Sequence, residues 1–274
     1  MIYIYEFSRA KMFSCSKFRS CPIYFYYLID CEGVDDVSNR KAGLLVLVFA
    51  FLLFVFIQNR AEIREVANMK TLPLVGKIIY IDPGHGGADG GASNGDILEK
   101  EIALNVSLKL RDFLQAQGAF VLMTRDGDYD LADDGVKGLS RRKTMDLHKR
   151  LELVNDSDAD LLISIHLNSI SSPRWRGAQT FYTNQLQENK RLAELIQEEL
   201  IANLKNTDRE AKTIDTVFLM SHSKKPSALV EIGFLSNQEE KALLVEDKYQ
   251  NEIAASLLYG IMRYFTETKQ AEEI

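Results

Sequence analysis

The sequence predicts an α/β domain: a single mixed, mostly parallel sheet covered by helices on both faces and preceded by an N-terminal hydrophobic helix. Apolar runs of strand length alternate along the chain with amphipathic segments of helix length, as expected when helices layer over a sheet. One longer apolar run, residues 42–57, stands apart from this alternation and carries no polar stripe.

The composition is that of a folded protein with a large core. It argues against nucleic-acid binding and against cysteine-based catalysis. The chain has 274 residues, of which 46% are hydrophobic, enough for one large domain and an appendage. Its net charge is −6, and no basic face typical of nucleic-acid binding stands out. All three cysteines, Cys15, Cys21 and Cys31, precede the predicted domain, which argues against a cysteine nucleophile and a disulfide-stapled core.

Residues 42–57 predict a signal anchor or transmembrane helix. Arg40 and Lys41 stand directly before the run, and no small-x-small cleavage pattern follows it. The run is short beside the roughly 20 residues that a spanning helix needs, and a buried core helix is the alternative. We favour an uncleaved anchor with its positive end inside, which places the C-terminal domain outside the cytoplasm.

The segment before the anchor differs in character from the rest of the chain. Residues 1–36 are rich in aromatic side chains, hold every cysteine and match no targeting pattern. Our hypothesis is an over-extended gene start, with the natural start near Val37. The predicted organisation is an N-terminal extension (1–41), the anchor (42–57), a linker (58–76), the main domain (77–268) and a tail (269–274).

The elements of the main domain follow from apolar periodicity. Strands are expected at residues 77–82, 119–124, 160–166, 177–183 and 227–232. Helices are expected at residues 99–117, 140–154, 189–204 and 249–265, and Gly118 is placed to end the first of them. The polar, acidic stretch 126–138 predicts a loop, and loops of this length are usually functional or mobile.

Three polar segments, residues 79–87, 164–169 and 230–237, each follow or end an apolar strand. Each therefore places a potential metal ligand or general base at the carboxyl end of a strand, where α/β sheets collect their ligands. Two of the four histidines of the chain, His85 and His166, occupy such positions. The arrangement points to a zinc hydrolase.

His85 lies in a tight, glycine-rich loop, where glycines let a ligand approach the backbone closely. A phosphate-cradling loop is the alternative interpretation. It is disfavoured because Asp89 stands where the third glycine of G-x-G-x-x-G belongs, and because the next helix starts too late for a dinucleotide turn.

Catalytic zinc typically has three protein ligands, and two histidines with one glutamate form a known set. A lone histidine at a strand end, such as His166, is more often a satisfied core group, but a second one at an equivalent site favours metal ligation. Glu99, which opens the first predicted helix, is the candidate carboxylate. It could equally be a surface acid that complements the helix dipole, and Glu101 is a competitor that points elsewhere on the helix.

Glu231 interrupts an apolar strand, and a buried glutamate is costly unless it is paired or ligated. Beside zinc it could take a proton from the activated water and pass it to a leaving amine. The alternative is a structural glutamate that caps a loop. His148, on a charged helix, and His222, in a polar loop, are expected to be solvated, and no G-x-S-x-G supports a serine triad.

The three polar segments, together with Glu99 between Leu98 and Lys100, strongly resemble the zinc-dependent N-acetylmuramoyl-L-alanine amidases of the amidase-3 family. The resemblance covers roughly residues 77–265. Within the family, the chain resembles the germination-specific (spore cortex) amidases. The stretches that carry this similarity are residues 138–143, 175–182 and 206–212.

The resemblance implies a zinc ion on His85, Glu99 and His166, with Glu231 as the catalytic base. It implies cleavage of the amide between N-acetylmuramic acid and L-alanine in peptidoglycan, upstream of muramic-lactam formation in spore cortex and germination. It further implies a functional partnership with a peptidoglycan deacetylase and a site of action outside the cytoplasm, in the forespore or cortex space. The alternatives are another zinc peptidoglycan hydrolase, a carboxypeptidase or deacetylase, and a catalytically silent wall-binding regulator.

Overall fold

The structure is a computed structural model that describes residues 44, 46–57 and 72–267. The chain forms two compact units, Met1–Arg60 and Ala61–Ile274. In the first unit, residues 46–57 are helical (α1), and their large apolar side chains are exposed. Within the described ranges, no helix combines the length and the hydropathy that a membrane span requires. The predicted extension 1–41, most of the linker and the tail 269–274 lie outside the described residues.

The predicted mixed, mostly parallel sheet is confirmed. Its six strands stand in the order β4-β1-β5-β8-β6-β7. The first four are parallel to one another, β6 is antiparallel to β8, and β7 is parallel to β6. A separate antiparallel hairpin joins β2 and β3. The strands are β1 (Ile78–Pro83), β2 (Ser93–Asn94), β3 (Ile97–Leu98), β4 (Phe120–Met123), β5 (Leu161–Asn168), β6 (Gln179–Tyr182), β7 (Lys212–Thr213) and β8 (Ser227–Phe234).

The four predicted helices are confirmed, each with its ends shifted by no more than two residues. Two short helices, α5 and α6, and the two-residue strands β2, β3 and β7 were not predicted, because so few residues carry no periodicity. His222 was predicted to lie in a loop, and this prediction is wrong: it is the last residue of α5. The helices of the second unit are α2 (Glu99–Ala116), α3 (Leu139–Asp156), α4 (Gln187–Leu204), α5 (Phe218–His222), α6 (Gln238–Leu244) and α7 (Asp247–Thr266).

Side chains alternate across the sheet, and both faces are covered as predicted. On one face, Ile81, Ile163 and Val230 belong to the main core together with α2, α4 and α7. On the other face, here the α3 face, Leu162 and Leu229 belong to a smaller core with α3 and α5. The alternation assigns the even-numbered residues of β5 and the odd-numbered residues of β8 to the α3 face.

A buried polar cluster lies on the α3 face where β1 ends. Asp82 accepts hydrogen bonds from Thr124 Oγ1, Ser164 Oγ and Arg150 Nη1, each at 2.7 Å. Burial by itself raises the pKa of Asp82, but Arg150, His166 and the two hydroxyl donors lower it to about 2. A buried charge is tolerated only when it is paired in this way.

Two buried arginines hold the backbone carbonyls of the loop that follows β1. Arg150, on α3, donates to the carbonyls of Pro83 and His85, at 2.8 and 2.5 Å. Arg125 donates to the carbonyls of Pro83 and Gly84, at 3.0 and 2.7 Å, and to that of Lys100 at the start of α2. The planar, multi-donor guanidinium suits such convergent contacts, and it fixes this loop against both α2 and α3.

The acidic loop 126–138 lies against the same glycine-rich loop. Asp128 accepts from the Gly87 amide at 2.9 Å and from Lys100 Nζ at 2.7 Å. Asp130 pairs with Arg142 on α3 through two hydrogen bonds. The first part of this loop is therefore tied to the glycine-rich loop, to α2 and to α3.

The close packing of α4 on α7 depends on Gly260. A Cβ at this position would lie 2.6 Å from Cα of Ile196, a backbone atom that cannot rotate away. We expect Gly260→Ala to destabilise the protein by roughly 1–2 kcal/mol, because overpacking outweighs the helix propensity gained. Gly135→Ala is the matched control, since a Cβ there meets nothing within 4 Å. Urea unfolding of both variants tests this, and equal stability of the two would contradict it.

The depressed pKa of Asp82 predicts a defined acid sensitivity. Because the folded-state pKa is lowered, the stabilisation is present above the ordinary value of 3.8 and is lost as pH falls toward about 2. The loss is on the order of 2 kcal/mol. The difference in unfolding free energy between the wild type and Asp82→Asn, measured with a chelator present, should shrink over that window. A constant difference from pH 6 to pH 2 would refute this assignment.

Candidate metal centre

His85 has an uncommon backbone conformation that aims its ring into the site. Its φ is 62°, in the left-handed region that non-glycine residues rarely occupy, and Arg150 holds its carbonyl. Its Nδ1 lies 2.8 Å from Asp89 Oδ2, so Nε2 is left facing Glu99 Oε2 at 3.2 Å. Asp89 is also paired with Lys143 Nζ at 2.9 Å. Burial raises the pKa of Asp89, but His85 and Lys143 lower it to about 2.

The glycines around His85 make room for the site's own side chains. A Cβ at Gly84 would lie 2.4 Å from Cε1 of His166. A Cβ at Gly91, where φ is 69°, would lie 2.6 Å from Glu99 Oε2. At these two positions, the space that a Cβ would take is filled by the imidazole of His166 and the carboxylate of Glu99.

Glu99, the first residue of α2, is 3% exposed and its carboxylate is fixed from two sides. Oε2 accepts the Ala92 amide at 2.8 Å, and Oε1 accepts the Leu167 amide at 2.9 Å. Burial raises the pKa of Glu99, but its contacts with His166 and His85 hold it far below its usual range. This burial excludes the surface-acid alternative, whereas Glu101 is exposed and points away as predicted.

His166 lies near the end of β5, on the α3 face, with Nδ1 3.0 Å from Glu99 Oε1. Its ring centroid is 5.0 Å from that of His85, in an edge-to-face arrangement. Burial lowers the pKa of His166, but the Glu99 carboxylate outweighs this effect, and the net pKa is raised. The glutamate thus lies between two imidazoles that approach from different elements.

His85, Glu99 and His166 form the one group in the described part of the chain that could hold a metal ion. One ligand atom from each lies within 4.8 Å of the others. Two ligands about 2.0–2.2 Å from a tetrahedral ion are roughly 3.4 Å apart, close to the histidine–glutamate separations here. Two imidazoles and one carboxylate also match a known donor set for catalytic zinc, so the residues present fit such an ion.

Glu231 occupies the neighbouring strand, where it is the register partner of His166 in the β5–β8 pair. Its Oε2 is buried and has no hydrogen-bond partner among residues 72–267. Burial raises the pKa of Glu231 to about 7, against the lowering effect of His166. A buried carboxylate oxygen without a partner costs folding free energy, which favours a chemical role over a packing role.

The loop-capping role considered for Glu231 belongs to Glu240. Glu240, on α6, is fully buried and accepts the amides of Gly177 and Phe234 at 3.0 and 2.8 Å. Burial raises its pKa, while these two amides lower it. Glu240 therefore connects its own helix to the backbone at Gly177 and Phe234. Glu231, in contrast, has a carboxylate oxygen without a hydrogen-bond partner beside the histidines, within the described residues.

His148 and His222 are exposed, as predicted, and neither belongs to the metal-ligand group. Their rings lie 4.7 and 4.5 Å from that of Phe218.

Sequence reasoning missed the groups that support the ligands: Asp89, Lys143, Arg125 and Arg150. Asp89 follows His85 by four residues in the same loop, which is a pattern that could have identified it. The two arginines sit among charged neighbours in the sequence, and only the fold shows that they are buried.

Comparison with known proteins places these features in a family. Residues 79–263, more than half of the chain, match the N-acetylmuramoyl-L-alanine amidase family. The chain is 52% identical to the germination-specific N-acetylmuramoyl-L-alanine amidase of Bacillus subtilis over 222 residues, which are 81% of this chain and 93% of that protein.

Two solved structures have the same fold. The CwlD amidase from Clostridioides difficile, solved in complex with the GerS lipoprotein, is 39% identical with a TM-score of 0.68, over 69% of this chain and 98% of that one. An N-acetylmuramoyl-L-alanine amidase from Clostridium difficile 630 is 29% identical with a TM-score of 0.62, over 70% and 97%. The α/β fold, the histidine–glutamate cluster and these matches agree, and the chain belongs to the N-acetylmuramoyl-L-alanine amidase family of hydrolases.

Proposed function

We propose that the protein is a zinc-dependent amidase in which His85, Glu99 and His166 hold the metal ion and Glu231 is the catalytic base. The reaction is hydrolysis of the amide between N-acetylmuramic acid and L-alanine in peptidoglycan. The observation that carries the proposal is the buried, unpartnered carboxylate oxygen of Glu231 on the strand next to His166.

The chain's own residues prepare the site before substrate arrives. Asp89 accepts a hydrogen bond from Nδ1–H of His85, which leaves the Nε2 lone pair free toward Glu99; such outer contacts orient ligands in metal sites. Two backbone amides hold the Glu99 carboxylate in place. When bound, zinc acts as a Lewis acid that polarises the scissile carbonyl and lowers the pKa of water toward about 7.

Glu231 moves the proton in this mechanism. Its carboxylate accepts a proton from water as the water oxygen bonds to the lactyl carbonyl carbon. It then returns the proton to the nitrogen of L-alanine as the C–N bond breaks. The products are the free lactyl carboxylate and a stem peptide with a new amino terminus.

Family membership favours the amidase reaction over the other zinc hydrolases that this ligand set could serve. A carboxypeptidase would release a terminal amino acid, and a deacetylase would release acetate, whereas an amidase frees a whole stem peptide. A silent wall-binding regulator is disfavoured because the chain keeps all three proposed ligands and the base.

The biological setting is proposed from the relative named for germination. We place the enzyme on spore cortex peptidoglycan, upstream of muramic-lactam formation and in partnership with a separate deacetylase. Residues 42–57 anchor it to the membrane, residues 58–76 link the anchor to the catalytic domain 77–268, and the catalytic domain acts outside the cytoplasm.

Glu231→Gln should lower the rate of stem-peptide release by roughly 10²–10⁴-fold, because the amide cannot accept the proton. Metal content should be unchanged, since Glu231 is not a ligand. Peptidoglycan incubated with the zinc-loaded full chain, with products identified by mass spectrometry, measures this. Glu101→Gln, an exposed glutamate in the same fold, is the control. Undiminished release of stem peptides by Glu231→Gln would exclude it as the base.

Asp89→Asn should weaken metal binding about 10–100-fold, because His85 loses the carboxylate that orients it. Competition against a chromophoric zinc chelator gives the affinity without reference to activity. Asp96→Asn serves as the comparison, since Asp96 is exposed and lies outside the ligand group. Identical zinc affinities for the two variants would show that Asp89 does not support the site.

A further inference from the structure

A row of registered side chains extends from the metal centre across three strands. His166 on β5 pairs in register with Glu231 on β8, and Glu231 pairs in register with Gln179 on β6. Registered residues of neighbouring strands share a face of the sheet, so all three lie on the α3 face. With strands about 4.8 Å apart, Gln179 lies roughly 10 Å from His166 along this row.

Arg209 continues the row beyond Gln179 and is held from several sides. Its Nη1 donates to Gln179 Oε1 at 3.2 Å, and its Nε donates to the carbonyl of Arg176 at 3.1 Å. Its guanidinium carbon lies 5.4 Å from the ring centroid of Trp175 and 5.2 Å from that of Phe234. Its Nη2 has no hydrogen-bond partner within residues 72–267. The guanidinium of Arg209 therefore has a fixed orientation, and its Nη2 is available to donate a hydrogen bond to a ligand.

The charge around Arg209 is not neutralised by a direct ion pair in the described part of the chain. Glu240 is the nearby buried acid, and its oxygens are occupied by the amides of Gly177 and Phe234. Arg176 adds a second cation, which contacts the exposed Glu239 at 3.3 Å. At the opposite side of the site, Lys143 is paired with Asp89. The unpaired positive charge therefore lies on the β6 side.

We propose that Arg209, positioned by Gln179, binds a carboxylate of the stem peptide and so sets the direction in which peptidoglycan crosses the site. This inference rests on the proposed function. The glycan carries neutral hydroxyl and acetamido groups, whereas the stem peptide carries free carboxylates, so a fixed cation selects the peptide. Two extended residues span up to about 7 Å, which brings the carboxylate of the second residue toward Arg209 when the scissile amide lies beside Glu231.

Two muropeptides test the proposal: N-acetylmuramyl-L-alanyl-D-glutamate, with a free α-carboxylate, and N-acetylmuramyl-L-alanyl-D-isoglutamine, in which it is an amide. Dissociation constants are measured by calorimetry on the zinc-loaded full chain carrying Glu231→Gln, which prevents turnover. We expect the free carboxylate to bind about tenfold more tightly, as a charge-assisted hydrogen bond provides. Adding Arg209→Gln should remove this preference, while adding Arg111→Gln, a distant arginine on α2, should preserve it.

Equal affinity for the two muropeptides in the protein that retains Arg209 would overturn the proposal, and this comparison does not depend on any Arg209 variant folding. A preference that survives Arg209→Gln would overturn it as well. Hydrolysis by the protein with native Glu231 is measured in parallel. Its absence would count against the proposed function, while the binding preference alone decides the subsite.

Discussion

The site depends on the burial of one carboxylate between two histidines. Glu99 loses nearly all of its hydration, and that cost is offset by amides from two separate segments, at Ala92 and Leu167, and by the two imidazoles. Two of these partners, His166 and Leu167, lie on β5, and the other two, His85 and Ala92, lie between β1 and β2. Since Glu99 itself opens α2, the carboxylate keeps its contacts only when β5, α2 and the segment after β1 are all in place. The three candidate ligands, His85, Glu99 and His166, therefore come together only when the domain folds.

A second group of buried charged residues holds the loop after β1 in position. Asp82 and Arg150 form an ion pair at 2.7 Å at the polar end of the smaller core. Arg125 and Arg150 also donate to the backbone carbonyls of Pro83, Gly84 and His85. Removal of one partner would leave an uncompensated buried charge, which is far costlier than the loss of a surface ion pair. The left-handed conformation of His85 persists because these contacts determine it from outside.

The fold and the central residues could be predicted because their signals are local. Apolar periodicity located the long strands and helices. Polar residues at or near the carboxyl ends of the predicted strands identified His85, His166 and Glu231. Arg150 and Arg209 could not be predicted with equal force, since their partners, Asp82 and Gln179, are distant in sequence. The same holds for two glutamates: Glu231 and Glu240 look alike in sequence, and only their hydrogen-bond partners distinguish the proposed base from a structural glutamate.

The ligand set is the central claim, and X-ray absorption at the zinc edge on the zinc-loaded full chain tests it most directly. The account predicts a first shell of nitrogen and oxygen only, with outer scattering from two imidazoles, and the loss of one imidazole contribution in His166→Ala. A shell containing sulfur, or an unchanged imidazole contribution in His166→Ala, would contradict the account.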